Sequence, residues 1–400
     1  MTFSTSLPEP LPFKPATRLA AIQPFHVMEL VKAADALSAA GRSIIHMSIG
    51  EPDFTAPEPV IAALTEAVTA GRSGYTPAVG IPALRAAISA YYCSVYGLDI
   101  APGRIVITAG ASAALLLAAA VLLDAGQEIL LPDPSYPCNR HIVAAFNAVP
   151  TLIPAGPEKR FQLDADDVSR HWTEVTRGVL LASPSNPTGT TILPGQLAAV
   201  LNEVRQRRGF LIVDEIYNGL VYGHAPQSAL ALGDDVIVVN SFSKYFSMTG
   251  WRLGWLVVPE ALAPEVEKVA QNLFICASAP AQHAAVACFS PAALAIYESR
   301  RQAFELRRDY LVPALRGLGF DIPVEPDGAF YVYASVARFG LSSDELAHRL
   351  LHEAGVCCVP GRDFGHHAPE QWMRFSYATS LENLHEAVRR MGRVLGPLLR

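Results

Sequence analysis

The strongest constraint on the fold is an alternation of short apolar runs with longer helical patterns between residues 43 and 258. The runs are rich in β-branched residues, as expected for strands that are buried on both faces of a parallel sheet. Repeated βαβ units of this kind predict an α/β lobe. The candidate strands span residues 105–108, 128–131, 178–182, 210–213, 236–240 and 253–257.

The pattern changes after Pro291 and predicts a second, smaller α+β lobe. A charged helix is expected over residues 292–318, short strands near 329–333 and 355–359, and a closing helix after Glu382. A chain of 400 residues exceeds the roughly 250–300 that one hydrophobic core usually serves. The predicted division is residues 1–48 for an N-terminal arm and part of the small domain, 49–290 for the large domain, and 291–400 for the small C-terminal domain.

The charge and hydropathy of the chain argue against two classes of partner. Lys and Arg total 31 against 37 Asp and Glu, so no basic excess favours nucleic acid or an anionic membrane. The longest apolar run, residues 113–123, is shorter than the roughly 20 residues that a bilayer requires and predicts a buried helix. Residues 1–18 contain no apolar signal segment, so we expect a cytoplasmic protein. The six dispersed cysteines form no CxxC motif and predict buried thiols.

Lys244 stands out among the five lysines of the chain. Four apolar residues, 236–239, lead into the polar turn that carries it, which predicts a position at the C-terminal end of a strand. The other four lysines fall where solvent is expected. A partly desolvated lysine loses its proton more readily, as a Schiff-base amine must. An ordinary loop lysine remains the alternative.

Groups that suit an anion surround this lysine in the sequence. Ser241 precedes it and Arg252 follows it, and hydroxyls, backbone N–H groups and a guanidinium together bind phosphate well. Gly110, Ala111 and Ser112 join a strand to the apolar helix, and such small residues leave backbone N–H groups open to an anion. We therefore expect an anion site near Lys244.

Polar side chains also follow two other candidate strands. Asp214 comes directly after the apolar run 210–213, and it either caps a helix at the surface or pairs with a cationic ring nitrogen. Tyr217, three residues later, could offer its phenol to the same ligand or simply pack. Asn186, in an Asn-Pro-Thr-Gly turn, is either a turn former or a ligand.

Taken together, these segments resemble a known family. Asn186-Pro-Thr-Gly, Asp214-Glu-Ile-Tyr217, Ser241-Phe-Ser-Lys244 and Arg252 are similar in order and spacing to the class I/II aminotransferases, the aspartate aminotransferase-like enzymes of fold type I. Gly50-Glu-Pro-Asp-Phe, Tyr75-Thr-Pro and Arg374-Phe-Ser-Tyr also resemble that family's pattern. The resemblance implies a mostly parallel, seven-stranded sheet between helices. It also implies an amino-acid aminotransferase that moves an α-amino group to a 2-oxo acid in a ping-pong cycle on pyridoxal 5′-phosphate.

The resemblance implies a role for each matched residue. Lys244 would form the Schiff base and carry the substrate's proton, and Asp214 would keep the pyridine nitrogen protonated. Asn186 and Tyr217 would hydrogen-bond the phenolate oxygen of the ring. Tyr136 would stack on the ring, and the phosphate ligands would be Ala111, Ser112, Ser241, Ser243 and Arg252. Tyr75 would reach the phosphate in the neighbouring subunit, which implies a homodimer.

On the substrate side, the resemblance implies that Arg374 binds the α-carboxylate as a bidentate fork, with Gly50 and Asn186 beside it. The motifs leave side-chain specificity open. Phe25 and His26, together with residues 277–280 of a partner subunit, are candidates for the pocket wall, with ordinary packing as the alternative. The aromatic Phe25 favours alanine, branched-chain or aromatic substrates over purely dicarboxylic ones. Asn139 either supports Asp214 or simply begins a helix.

Three other functions fit parts of the sequence. Another reaction on the same scaffold, such as β-elimination, would share the same motifs. Ser241-Phe-Ser-Lys244 also matches the S-x-x-K of serine acyl-enzymes, but no lysine here is followed by Thr-Gly. A transcription regulator would need a DNA-binding domain, and fewer than 50 residues precede Gly50.

Overall fold

A computed structural model describes residues 13–399, so most of the predicted N-terminal arm and Arg400 lie outside the described residues. The helices are α1 Val27–Ala39, α2 Glu58–Thr69, α3 Pro82–Tyr96, α4 Ala111–Leu122, α5 Pro137–Ala145, α6 Ala165–His171, α7 Pro194–Gln206, α8 Ala263–Leu273, α9 Ala279–Ala285, α10 Pro291–Gly317, α11 Ser343–Arg349 and α12 Leu381–Leu395. The strands are β1 Ile45–His46, β2 Ile105–Thr108, β3 Glu128–Asp133, β4 Val149–Pro154, β5 Thr176–Ala182, β6 Phe210–Asp214, β7 Ile237–Ser241, β8 Gly254–Val257, β9 Tyr331–Ser335, β10 Val356–Cys357, β11 Val359–Pro360 and β12 Trp372–Ser376.

Seven strands form one sheet in the order β2-β8-β7-β6-β5-β3-β4. Strand β8 runs antiparallel to both of its neighbours, whereas the other pairs are parallel. The predicted α/β lobe with a mostly parallel sheet is therefore confirmed, and all six candidate strands are present. The edge strand β4 was not predicted because its sequence, Val-Pro-Thr-Leu-Ile-Pro, carries two prolines and is mostly exposed or half-buried.

The sheet is buried on both faces, which explains its continuous apolar strands. Along β6 and β7, alternate side chains enter different cores: Leu211 and Val238 pack on one face, and Ile212 and Val239 on the other. Helix α4 is buried over most of its surface, as predicted for residues 113–123. Among residues 13–399, no helix is both long and apolar enough to span a bilayer.

The smaller lobe has its own sheets and core. Strands β11, β12 and β9 form an antiparallel sheet, and β1 pairs in parallel with β10. Residues 45–46 therefore share a sheet with residues 356–357, far along the chain. The predicted charged helix is present as α10, whereas the predicted strand 355–359 is divided into β10 and β11. The domain boundaries near residues 48 and 290 stay a prediction.

The cysteines follow the prediction of buried thiols only in part. Cys288, Cys357 and Cys358 are buried, and Cys138 and Cys276 are half-buried. Cys93 is exposed, so the prediction was wrong for this residue. Helix α3 turns Cys93 away from the sheet while Tyr92, one position earlier, faces the core.

Candidate active site

A cavity of about 450 Å³ lies at the carboxyl ends of the large sheet's parallel strands. It is lined by Tyr136 after β3, Asn186 after β5, Asp214 at the end of β6 and Lys244 after β7. Carboxyl ends of parallel strands meet at one edge of a sheet, which is why residues far apart in sequence converge here. Arg374, on β12 of the small lobe, lines the opposite side.

The structure brings most of the predicted site residues together. Those that line the cavity are Phe25, Gly50, Ala111, Ser112, Tyr136, Asn186, Asp214, Tyr217, Ser241, Ser243, Lys244, Arg252 and Arg374. His26 does not line this cavity and instead lines a neighbouring one of about 700 Å³. Tyr75 is 85% exposed and also lies outside it.

Two further candidates lie away from the cavity. Asn139 is buried beside a separate small cavity, and its Oδ1 has no hydrogen-bond partner among the described residues, Asp214 included. Of residues 277–280, Ala277 and Ala279 are buried, Pro280 is half-buried and Ser278 is exposed, so their contribution to a neighbouring site stays a prediction.

Lys244 differs from the other lysines in its surroundings. Its Nζ donates a hydrogen bond to the carbonyl of Gly50. Burial lowers the pKa of Lys244 to about 8, with Arg374 and Arg252 adding to the effect against the opposing charges of Glu51 and Asp214. The amine of Lys244 therefore loses its proton at a lower pH than an ordinary lysine does.

The neighbouring acids Asp214 and Glu215 are both buried but are used differently. Burial raises the pKa of Asp214 to about 6, against the lowering effect of the Ile216 N–H, which donates to Oδ1 at 3.0 Å. Burial raises the pKa of Glu215 to about 7. Its carboxylate accepts from Ser228 Oγ at 2.9 Å and Ala229 N at 2.6 Å, so it fixes a loop. Asp214 keeps accepting capacity at the cavity, which argues against the surface-cap alternative.

Arg374 is a buried guanidinium that forms no salt bridge with a carboxylate of residues 13–399. Its Nη1 donates to Asn186 Oδ1 at 2.8 Å, and its Nη2 donates to the carbonyl of Ser48 at 2.6 Å. Its Nε has no hydrogen-bond partner within residues 13–399. The guanidinium carbon lies 4.4 Å from the ring centre of Tyr331 and 4.9 Å from that of Phe364. A buried cation without a counter-ion favours an anionic ligand.

A second cationic corner lies where helix α4 begins. Gly110 has φ of +85°, and an added Cβ there would come within 2.5 Å of Arg252 Nη2. Glycine thus permits the guanidinium to approach the helix start. The first backbone N–H groups, at Ala111 and Ser112, have no acceptor within the helix. Ser241 lies close by and donates its hydroxyl to Ser243 Oγ at 2.9 Å. This corner combines the donors that suit a phosphate.

The sequence did not reveal several residues of the small-lobe side. Tyr331 donates to or accepts from Tyr217, with 2.8 Å between the two Oη atoms. Asp363 accepts the backbone N–H groups of His26 and Val27 at 2.8 and 2.7 Å, which ties the start of α1 to the cavity wall. Aromatic residues in a strand usually pack in the core, so nothing in the sequence distinguished Tyr331 from an ordinary core residue.

Comparison with known proteins identifies the family. The model of the family described as aminotransferase class I and II matches residues 42–391. The chain belongs to the class I and II aminotransferases. A valine–pyruvate aminotransferase from Mycobacterium tuberculosis is 40% identical over 375 residues, which are 93% of this chain and 96% of that protein. A probable aspartate/prephenate aminotransferase from Aquifex aeolicus is 35% identical over 390 residues, 95% of this chain and 98% of that protein.

Solved structures agree with the family assignment. A crystal structure of an aminotransferase from Mycobacterium tuberculosis superposes with a TM-score of 0.93 at 40% identity, covering 96% of this chain and 100% of that one. Aspartate aminotransferase from Thermus thermophilus with maleate gives a TM-score of 0.90 at 32% identity, with the same coverage. The predicted fold and family are confirmed, and this aminotransferase acts on amino acids as a member of a pyridoxal-phosphate-dependent family.

Proposed function

We propose that the chain holds pyridoxal 5′-phosphate through Lys244 and transfers the α-amino group of an apolar L-amino acid, such as valine, to a 2-oxo acid. The observation that carries this proposal is the meeting of three groups at one cavity: the depressed-pKa amine of Lys244, the available carboxylate of Asp214 and the guanidinium of Arg374. Each is costly to bury without a ligand. Together they suit an aldehyde, a cationic ring nitrogen and a carboxylate.

The residues at the cavity fit the cofactor. Lys244 Nζ would hold its aldehyde carbon, and Asp214 would hold the proton of the ring nitrogen. Tyr136 would cover the ring, and Asn186 and Tyr217 would donate to its phenolic oxygen. The phosphate would be held by Ala111 and Ser112 through backbone N–H groups, and by Ser241, Ser243 and Arg252. When bound, the cofactor supplies an electron sink for the electrons of the substrate's Cα–H bond.

The protein's own groups then orient the substrate and move its proton. Arg374 would bind the α-carboxylate and so fix which substituent of Cα faces Lys244. The neutral Nζ of Lys244 would take the α-proton, since a base with a pKa near 8 is matched to neutral pH. The small-lobe wall would keep water away from this transfer.

The cavity wall supports an apolar side chain in the substrate. Phe25, Val27, Met28, Val31 and Ile49 line it. The basic side chains that line it within the described residues are Lys244, Arg252 and Arg374. Each already has a role, so none of these three side chains of the same subunit remains for a side-chain carboxylate. The similarity to a valine–pyruvate aminotransferase agrees with this preference.

The substrate assignment is tested by the specificity constant kcat/KM for single amino donors. With pyruvate as acceptor, we expect L-valine to exceed L-aspartate by at least about tenfold, the order of one or two buried methyl groups. A preference for L-aspartate would reject the apolar-substrate proposal. β-Elimination needs a leaving group on Cβ, which valine and aspartate lack, so that alternative is tested with O-acetyl-L-serine as donor. Release of acetate, ammonia and pyruvate, without transfer of the amino group to a 2-oxo acid, would favour the β-elimination alternative.

We also propose that the enzyme is a homodimer in which Tyr75 completes the neighbouring site. The high exposure of this large aromatic side chain in one chain supports the proposal. The test mixes two inactive variants, Lys244→Ala and Tyr75→Ala. A mixed dimer contains one site with both residues intact, so activity should return. Absence of any recovery, with mixed dimers shown by mass, would reject the shared site.

A further inference from the structure

Tyr331, the first residue of β9, is a fully buried tyrosine that contacts three parts of the site. Its Oη lies 2.8 Å from the Oη of Tyr217. Its ring centre lies 4.4 Å from the guanidinium carbon of Arg374. An added Cβ on Gly50 would come within 2.8 Å of its Oη, so the hydroxyl packs directly against the residue whose carbonyl accepts from Lys244.

We infer that Tyr331 is a positioning residue for transamination, which sets both the hydrogen-bond direction of Tyr217 and the plane of the Arg374 guanidinium. The inference rests on the proposed function, because it concerns the cofactor and substrate groups that those two residues would bind. It joins the two lobes: Tyr217 follows β6 of the large sheet, whereas Tyr331 and Arg374 lie on paired strands of the small lobe.

The direction of the phenol–phenol hydrogen bond follows from what Tyr217 must do. Burial raises the pKa of both Tyr217 and Tyr331, so each keeps its proton. If Tyr217 donates to the cofactor's ring oxygen, its own oxygen accepts from Tyr331. A phenol that accepts a hydrogen bond is a better donor, because the two bonds polarise each other. The charged groups that face this pair are Arg374, Lys244 and, at the end of β6, Asp214.

The contact with Arg374 acts on the other end of the site. The guanidinium lies over the rings of both Tyr331 and Phe364, and its two Nη atoms donate to Asn186 and to the carbonyl of Ser48. A guanidinium stacked on aromatic faces keeps one plane, and that plane determines how a carboxylate can approach. Tyr331 thus fixes the carboxylate end of the substrate through its ring and the cofactor end through its hydroxyl.

Two substitutions separate these contributions. Tyr331→Phe removes the hydroxyl and keeps the ring, whereas Tyr331→Leu removes both. Tyr222→Phe is the matched control, since Tyr222 is equally buried and its hydroxyl donates to the backbone carbonyl of Ala329 outside the cavity. Thermal unfolding of all three holoenzymes reports whether a change is merely structural.

The first readout is the pH midpoint of the bound cofactor's visible absorbance. A donor to the ring oxygen favours the deprotonated form, so weakening that donor raises the midpoint. We expect Tyr331→Phe to raise it, by less than Tyr217→Phe does, and Tyr222→Phe to leave it unchanged. A Tyr331→Phe midpoint equal to that of the wild type would overturn the role of the hydroxyl. An equal shift in Tyr222→Phe would show a general packing effect.

The second readout is the binding of 3-methylbutyrate to the holoenzyme, measured by calorimetry. This probe has the carboxylate and side chain of valine but no amino group. We expect Tyr331→Leu to weaken binding about tenfold, the order of a desolvated cation–π contact, and Tyr331→Phe to change it less than about twofold. Unchanged binding in Tyr331→Leu would overturn the role of the ring. If the wild type lacks the cofactor's visible band, the proposed function itself fails, which is a different outcome.

Discussion

The two sides of the cavity, one from each lobe, differ in the polarity of the residues that line them. The large-lobe side is polar and comes from strand ends: Asn186, Asp214 and Lys244 each follow a parallel strand. The small-lobe side is largely apolar and aromatic: Phe25 lines the wall, and the rings of Tyr331 and Phe364 lie against the guanidinium of Arg374. The contrast suggests a division of labour in which the first side carries the chemistry and the second selects and orients the substrate.

The strongest test of this division of labour is to remove the amine of Lys244 on the polar side. Lys244→Ala should lower turnover by more than about 10⁴-fold, because it removes both the nucleophile and the proton carrier. Steady-state kinetics with valine and pyruvate measure the loss. Lys268→Ala, on an exposed face of α8, is the matched control and should retain full activity. Residual turnover above about 1% in Lys244→Ala would place the chemistry elsewhere.

The adjacent acids allow a finer test of the same side. Asp214→Asn should lower turnover by about 10²-fold, because the ring nitrogen loses a charge-assisted partner worth about 1.5–3 kcal/mol. Glu215→Gln should leave turnover of the folded enzyme nearly unchanged but lower its thermal stability, since Glu215 holds the loop at Ser228 and Ala229. Activity and thermal unfolding are measured on both variants. The reverse pattern would exchange the roles of the two acids.

The lowered pKa of Lys244 predicts a pH dependence for cofactor capture. Burial lowers this pKa to about 8, so the neutral fraction rises as the pH rises through that value and then levels off. Capture of pyridoxal phosphate by the cofactor-free protein should accelerate about tenfold between about pH 7 and about pH 9 and then reach a plateau. Stopped-flow absorbance measures the rate, and Nα-acetyl-lysine, whose ε-amine is free, is the reference amine. A rate that keeps rising to about pH 10 would indicate an ordinary, solvated lysine.

The smallest effect is expected on the apolar side. Phe25→Ala should lower kcat/KM for valine about fivefold, through lost side-chain burial, and should leave the visible absorbance of the cofactor unchanged. Comparison of valine with alanine as donor isolates the effect, since alanine offers little side chain to the wall. An equal loss for both donors, or a shifted absorbance, would mean that Phe25 acts on the chemistry rather than on selection.

The same division explains what could be predicted from the sequence. An apolar run that ends in a charged or amide residue marks a strand end, so Asp214 and Lys244 could be found without a structure, and Asn186 followed from the family's pattern. The strands of the large sheet were predicted from the same apolar runs. The edge strand β4 was missed because its prolines conceal it.

Two residues of the small-lobe side, Tyr331 and Asp363, gave no such signal. In the sequence, Tyr331 resembles any aromatic residue of a core strand, and Asp363 resembles an ordinary polar residue. Only the folded structure shows that Tyr331 contacts Tyr217 and that Asp363 binds the start of α1 at the cavity. His26 was placed at the pocket from its position before α1, yet it lines only the neighbouring cavity, whereas Phe25 lines both cavities. Side-chain direction at such a helix start depends on tertiary contacts that a single sequence does not reveal.

The central claim is that Lys244 holds the cofactor, and reduction with borohydride tests it most directly. The purified holoenzyme is reduced, digested and mapped by mass spectrometry, so that the lysine carrying the reduced pyridoxyl group is identified. The account predicts a single adduct on Lys244, together with loss of the visible band and of activity. An adduct on Lys14, Lys32, Lys159 or Lys268, with Lys244 unmodified, would contradict it.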